Sequence, residues 1–300
     1  MRLSSLTNPS TPGQPVAFEA DTFTPPGDAY AVGDVEFFDN GTTLLGVSQL
    51  DGTGTAVLIA PLVAGTHSIT AQYEGGGVFG GSTSDPLIQT VAALTPSQRF
   101  VDQLFNDILG RPNTDTSWAS AIDRHQVSRT QVAAALSTST ENVTNEVQAM
   151  YWAHLGRAAD PAGLAYWVGY IQQGRGTAEE LEESFLGTPE YFADSGGTAD
   201  TFMRAIFQDV LGRQPDAGGR AYWDARIASG TPTWVVAASV VMSTEAMRTR
   251  VTNDFWQILW RAPDAGGLAY WSRALQGGVH DEMLIAGLAG SVEYWQKTQH

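Results

Sequence analysis

From Gln98 onward, apolar positions recur at the spacing of one helix face. Leu104, Phe105, Ile108 and Leu109 stand seven, six, three and two places before Arg111, and Met150, Tyr151, His154 and Leu155 keep those offsets before Arg157. Ile206, Phe207, Val210 and Leu211 repeat the pattern before Arg213, as do Asp254, Phe255, Ile258 and Leu259 before Arg261. Positions three and four apart share one side of an α-helix, so each run predicts a helix that stops just short of its Arg. Two further runs follow in each copy. The second carries Tyr166 and Trp167, Tyr222 and Trp223, or Tyr270 and Trp271, then Ile171, Ile227 or Leu275, and halts at Gly174, Gly230 or Gly278. The third is marked by Val132 and Leu136, Leu181 and Phe185, Val236 and Val240, or Leu284 and Leu288, and closes on Glu141, Glu190, Glu245 or Glu293. Each copy reads as a three-helix unit of roughly fifty residues, within the range of helical repeats.

Before about Thr90 the period changes to two. Val16, Phe18 and Ala20, then Val35 and Phe37, then Ile69, Ala71 and Tyr73 alternate with polar residues. This predicts strands over Pro15 to Ala20, Asp34 to Asp39, Thr53 to Ala60, His67 to Tyr73 and Leu87 to Val91. Breakers fall between them at Pro25, Pro26 and Gly27, at Asn40 and Gly41, and at Asp51 and Gly52. Gly75 to Gly77 with Gly80 and Gly81 read as a loop. Short strands at this pitch predict a β-sandwich. The expected fold class is therefore an antiparallel β-sandwich over 1–93 followed by an all-α repeat domain over 94–300, and Ala92 to Ser97 is too short for a flexible linker.

The joint between the first two helices of a unit is the best-marked stretch. LGRAADPAGLAYW, from Leu155, returns as LGRQPDAGGRAYW from Leu211 and LWRAPDAGGLAYW from Leu259, with a degraded copy, LGRPNTDTSWASAI, from Leu109. Gly110, Gly156 and Gly212 fall where a helix ends in the left-handed region. Trp260 takes that place in the last copy, so there either the helix runs on or the turn differs. Asp160, Asp216 and Asp264 precede the next helix and can accept from its free first-turn N–H groups, with Pro161 at the first helical position. Ser128 with Gln131 and Thr177 with Glu180 have the spacing of capping boxes.

Charge and composition narrow the chemistry. A net charge of −16 and a single Lys, Lys297, argue against nucleic-acid binding through phosphates. Without Cys, disulfides, thiol catalysis and zinc-thiolate sites are excluded. Val235 to Met242 is the longest apolar approach to a membrane span and is far too short, so no membrane insertion is expected. Met1 is followed by RLSSLTNPS, which lacks the apolar core of a secretory signal and by itself favours the cytoplasm.

Asp160, Asp216 and Asp264 are also the candidate calcium ligands, although their surroundings lack the alternating oxygen donors of a calcium loop, and helix capping explains each without an ion. Arg111, Arg157, Arg213 and Arg261 recur with Glu141, Glu190, Glu245 and Glu293, which predicts a partly buried bidentate pair that fixes geometry. Of the five His, at 67, 125, 154, 280 and 300, none forms a zinc-binding pattern, and His154 reads as a core residue with a hydrogen-bonded ring. No GxSxG, phosphate-binding or dinucleotide motif occurs, so no catalytic residue and no cofactor is assigned. The Tyr–Trp pairs read as core. Trp234, Trp260 and Trp295, which do not recur in register, are the better candidates for stacking on a sugar. A hydrolase would need a concave pocket with two facing acids, or an acid beside His125 or His280.

NPSTPGQPVAFEA, GDVEFFDNGTTLLG, LVAGTHSITAQYEG and GGSTSDPLIQTV, in that order from Leu3 to Val91, resemble the immunoglobulin-like repeats of large bacterial surface proteins. That family usually has an Asp and an Asn in the turn after its last Tyr, where this chain has Gly76 and Val78, so the resemblance brings no ion with it. Such repeats begin further upstream than RLSSL, and the chain therefore reads as a fragment of something longer in which a missing secretion signal carries little weight. From Gln98 to about Gln296, the LGRxxDxxGxxYW motif resembles the bacterial family catalogued as domain of unknown function 4214, helical modules attached to large extracellular proteins. Together the resemblances imply a non-catalytic extracellular or cell-surface protein, an Ig-like spacer carrying a helical assembly or adhesion module. Other surface proteins or envelope glycans are the implied partners. The alternative is a carbohydrate- or calcium-binding surface module.

Overall fold

The computed structural model describes residues 1–23 and 29–299, so the expected turn at Pro25, Pro26 and Gly27, and His300, lie outside the described residues. The chain forms two compact units, Met1–Thr95 and Pro96–His300.

The strands of the first unit are β1 (Arg2–Ser5), β2 (Pro15–Asp21), β3 (Asp34–Asp39), β4 (Thr43–Gln49), β5 (Thr55–Pro61), β6 (Gly65–Gly76), β7 (Phe79–Thr83) and β8 (Leu87–Val91). β1, β2 and β5 make one antiparallel sheet and β4, β3, β6 and β7 the other, with β8 also on β6. The twelve-residue β6 accommodates both partners on one edge because β8 pairs with Gly65 to Ile69 and β7 with Gln72 to Gly76. Val16, Phe18 and Ala20 from one sheet meet Val35, Phe37, Ile69, Ala71 and Tyr73 from the other in a single core.

Three strands differ from expectation. β1 and β4 lie at sheet edges and β4 is mostly exposed, so neither shows the alternation that a half-buried strand must have. The glycines of the expected loop belong to the β6–β7 hairpin, where Gly75 pairs with Gly80. A Cβ on Gly75 would stand 2.9 Å from the Gly81 nitrogen, and one on Gly81 2.9 Å from the Glu74 carbonyl oxygen, so only Gly permits this approach.

The second unit runs α1 (Pro96–Leu109), α2 (Ser117–Asp123), α3 (Arg129–Ser137), α4 (Thr140–Leu155), α5 (Pro161–Gln172), α6 (Ala178–Leu186), α7 (Pro189–Asp194), α8 (Ala199–Leu211), α9 (Ala217–Ala228), α10 (Thr233–Val241), α11 (Thr244–Asp254), α12 (Ala265–Gln276), α13 (Asp281–Ala289) and α14 (Val292–Lys297). Gly110, Gly156 and Gly212 end their helices at φ of 66°, 61° and 66°. Trp260 takes the same left-handed turn at φ 55°, so the fourth joint keeps the hand of the others. The helix before it differs instead: α11 continues through Phe255–Leu259 as a π-helical turn.

The four copies do not stack in sequence order. Phe100, Leu104, Val132 and Leu136 of the first copy share a core with Met247, Val251, Leu284 and Leu288 around the fourth. The second and third copies share another, built on Val147, Leu181, Phe185, Phe202, Ile206 and Val236. In both pairs the third helices cross closely. The Gly290 position after α13 meets Thr130 in α3, and Gly187 after α6 meets Trp234 in α10, where an added Cβ would lie 2.6 Å and 2.8 Å from the partner's Cα. Backbone atoms cannot yield as a flexible side chain does, so Gly290→Ala is expected to lower stability by about 2 kcal/mol in urea unfolding. An unchanged midpoint would mean that the crossing is looser than this.

Candidate functional site

The recurring polar residues hold the joints. The Asp160 carboxylate accepts from the N–H groups of Ala162 and Gly163 at 3.1 and 2.9 Å, and Asp216 and Asp264 accept from Gly219 and Gly267 at 2.7 Å each. The bonds from Gly163 and Ala162 hold the Asp160 carboxyl below its usual range. Arg111, Arg157, Arg213 and Arg261 each grip Glu141, Glu190, Glu245 or Glu293 through Nε and Nη2, tying the start of one joint to the first turn of a later helix. Each guanidinium also lies over an aromatic ring of its own copy, Phe105, Tyr151, Phe207 or Phe255, at 5.1 to 5.4 Å. The side chains of these pairs are about two-fifths exposed, because the joint lies at the surface.

The aromatic pairs divide in the same way. Trp167, Trp223 and Trp271 pack against the cores, whereas Tyr166, Tyr222 and Tyr270 are 54 to 65% exposed, which corrects the reading of both rings as core. Consecutive residues on a helix point about 100° apart, so only one of the two can face inward. Of the candidate sugar-stacking residues, Trp234 and Trp260 are exposed, and the Lys297 ammonium covers the Trp260 ring at 5.1 Å. Trp295 is instead wedged between Phe100 and Arg129.

A different set of charged residues converges inside. Eleven places before the repeating Arg, the first and third copies have the buried Phe100 and Phe202; the second and fourth have Glu146 and Arg250. α4, α6, α11 and α13 gather Glu146, Glu179, Glu182, Asp254, Asp281 and Glu282 around Arg250. The Arg250 guanidinium donates to Glu182 at 2.5 Å and lies 3.5 Å from Glu179. His154 completes the far side, with Nε2 3.5 Å from Glu182 and Nδ1 3.7 Å from Asp209, while the Tyr191 hydroxyl donates to Asp209 at 2.8 Å.

Carboxylates outnumber cations here, and the protonation states follow. Burial, then the negative charge of Glu282 and Asp281, pushes the Glu146 carboxyl up to about 8, against one favourable hydrogen bond from Asn142 at 2.7 Å. Burial and the neighbouring Asp281 raise Asp254 well above the carboxylate range. Asp281 is pushed up to about 6, again chiefly by burial. Burial alone would depress His154, but the Asp209 and Glu182 carboxylates outweigh it and bring the imidazole up to about 9. His154 thus lies in the core, as expected, with its ring between two carboxylates that favour the protonated form. Glu182, facing both Arg250 and His154, is held below its ordinary value despite burial.

Glu146, Arg250, Asp254 and Asp281 open on a cavity of about 300 Å³ whose other walls include Ile108, Met150 and Ile285. Asp254 is 7% exposed, and its Oδ2 and Oδ1 of Asp281 accept from no N–H or hydroxyl among the described residues, which leaves the two carboxyls to share a proton. Such a place can store protons or receive a cation. Asp254 and Asp281 are two facing acids in a concave pocket, the arrangement a hydrolase would need, and His280 stands 3.8 Å from Glu282. A larger, open groove of about 550 Å³ beside Glu245, Arg248 and Leu268 is lined by ordinary surface groups. Among the described residues no three His, Asp or Glu are arranged to hold a metal ion, and no helix is long and apolar enough to cross a membrane.

The cluster escaped sequence reading because its members are departures from the repeat. The signal was in plain view: Asp254 stands where the other copies have Leu104, Met150 and Ile206, and His154 where they have Ile108, Val210 and Ile258.

No curated protein and no solved structure matches the chain. Neither of the two families found is a catalytic one, bacterial Ig-like domains are often extracellular, and the combination suggests a surface or structural protein. Residues 3–92 match the family described as bacterial Ig-like domain (group 3) and residues 182–250 match the domain of unknown function DUF4214, so the chain joins a bacterial Ig-like domain to a helical unit carrying a stretch of that second family.

Proposed function

We propose that this is a non-catalytic extracellular or cell-surface protein in which the Ig-like domain is a spacer and the helical unit mediates assembly or adhesion. The observation that carries the reading is the use of the repeated polar residues: the Asp carboxylates cap helices and the Arg–Glu pairs clamp joints. On this reading Asp216 is a cap and not a calcium ligand. Asp216→Ala is expected to cost about 1 kcal/mol in urea unfolding and to leave the calorimetric response of the protein to calcium unchanged. A stoichiometric calcium heat abolished by that substitution would reverse the assignment. Protease shaving of intact producing cells tests the location, with loss of the protein from the shaved cells expected.

Two other readings each have one observation behind them. Exposed Trp234 and Tyr222 suit a carbohydrate-binding face, which saturable quenching of Trp fluorescence by envelope polysaccharides, lost in Trp234→Ala, would favour. The facing Asp254 and Asp281 suit hydrolysis. Turnover of peptide or glycoside substrates by the intact protein, abolished by Asp281→Asn, would establish it.

A further inference from the structure

The central cavity combines three features that independently describe an occupant. Its acids outnumber its cations: Glu146, Asp254 and Asp281 line it, and Arg250, the one cation on its wall among the described residues, already donates to Glu182 on another face, so Glu146 and Asp254 hold protons that an entering cation would displace. Its acids lack donors: Asp254 is more than nine-tenths buried, and its Oδ2 and the shielded Oδ1 of Asp281 receive no hydrogen bond from any other group among the described residues, so the two carboxyls bond only to each other and only while one of them holds a proton. Its remaining walls are partly apolar, at Ile108, Met150 and Ile285. Left unpaired, buried carboxylate oxygens cost free energy that a bound donor would recover.

A bare divalent metal is poorly served, because it needs several oxygens converging at coordination distance and no three acids here do so. An alkylammonium asks for less: two or three acceptors around one –NH₃⁺ and an apolar wall for the stem. A volume of about 300 Å³ is at the lower end of pockets that enclose small molecules.

We propose that this cavity is a binding site for a primary alkylammonium group, with the ammonium among Asp254, Asp281 and Glu146 and the carbon stem against Ile108, Met150 and Ile285. The site goes beyond the structural role given above and does not depend on it. The ligand is either a free amine or the side chain of a lysine on a partner, which share this chemistry. Because Glu146 holds a proton near neutrality, cation binding releases it, and affinity rises between about pH 6 and pH 8 as that proton becomes easier to lose. The groups that set this titration are Asp281 and Glu282 on α13, Asp254 and Arg250 on α11, and Glu179 and Glu182 on α6, with His154 and His280 at the margins.

The test is calorimetric titration of the full chain with 1,4-diaminobutane and with Nα-acetyl-lysine amide, at concentrations up to about 10 mM, using 1,4-butanediol and calcium chloride as controls. Saturable heat with an amine, proton release measured by changing the buffer, and about tenfold or greater weakening in both Asp254→Asn and Glu146→Gln are expected. Heat from the diamine alone identifies a free amine as the source, and heat from the capped lysine identifies a protein side chain; either supports the site. Removing a buried carboxylate charge should not unfold the protein, which circular dichroism checks for each variant separately. Silence with both amines, unchanged affinity in a folded variant, or saturable binding of calcium or the diol in place of the amines would overturn the proposal.

Discussion

Raising the pH from about 5 to about 9 is expected to weaken the helical unit by several kcal/mol. The folded state holds the Glu146 carboxyl up to about 8 from an ordinary 4.5 and the His154 imidazole up to about 9 from 6.5. In both cases the folded chain binds the proton more tightly than the unfolded chain. The associated stability is fully present below the unfolded pKa, is lost progressively as the pH rises, and is gone above the folded pKa. For Glu146 the window is about pH 4.5 to 8 and for His154 about pH 6.5 to 9, so their losses add in the same direction. At about 1.4 kcal/mol per pKa unit, Glu146 alone accounts for roughly 4 kcal/mol. Groups held low, such as Glu182, act oppositely, and their contribution disappears as the pH falls through the lowered pKa. The optimum is therefore mildly acidic, near pH 5. All nine Trp lie beyond Gln98, so Trp fluorescence in urea reports on the helical unit and not on the β unit. Midpoints that stay level or rise from pH 5 to pH 9 would refute the buried-proton account. Glu146→Gln should flatten the profile by stabilising the protein most at the alkaline end.

Arg250→Met is expected to cost about 3–5 kcal/mol at neutral pH, because it removes the cation that faces Glu179, Glu182 and Asp281 and leaves their charge uncompensated. Burial alone would lower the Arg250 pKa, yet Glu179, Glu182, Asp281 and Asp254 raise it overall, which shows how strongly the surroundings favour the guanidinium. Part of the loss should return near pH 5, where the acids take up protons instead. The measurement is the urea midpoint at the two pH values with an unchanged slope. Equal losses at both would indicate that Arg250 acts through the packing of its alkyl stem and not through charge.

The contrast between joint and centre explains what could be read from sequence. Caps at Asp160, Ser128 and Thr177 depend on contacts two or three residues away, and the observed helices begin after them. The alternation at Val16 to Ala20 and at Val35 to Phe37 marks strands that face a core on one side only. β4 has no such alternation because its position at the sheet edge leaves both faces partly open, and that position is set by long-range pairing. The charged cluster is less legible still. It joins Glu146 to Arg250 and Asp281 across more than a hundred residues, and comparing copies for what they share passes over the positions where they differ.

The pairing of the first copy with the fourth fixes one more property. Gln299 accepts from Arg99 at 3.1 Å and donates to the Pro96 carbonyl at 3.3 Å, while Trp295 rests on Phe100. An open solenoid carries its two extremities further apart with every repeat, but here the polypeptide leaves within one side-chain length of where it entered. Within the helical unit, the first and last described turns are therefore neighbours. Unfolding of the last helix would accordingly expose Phe100 and the start of the first.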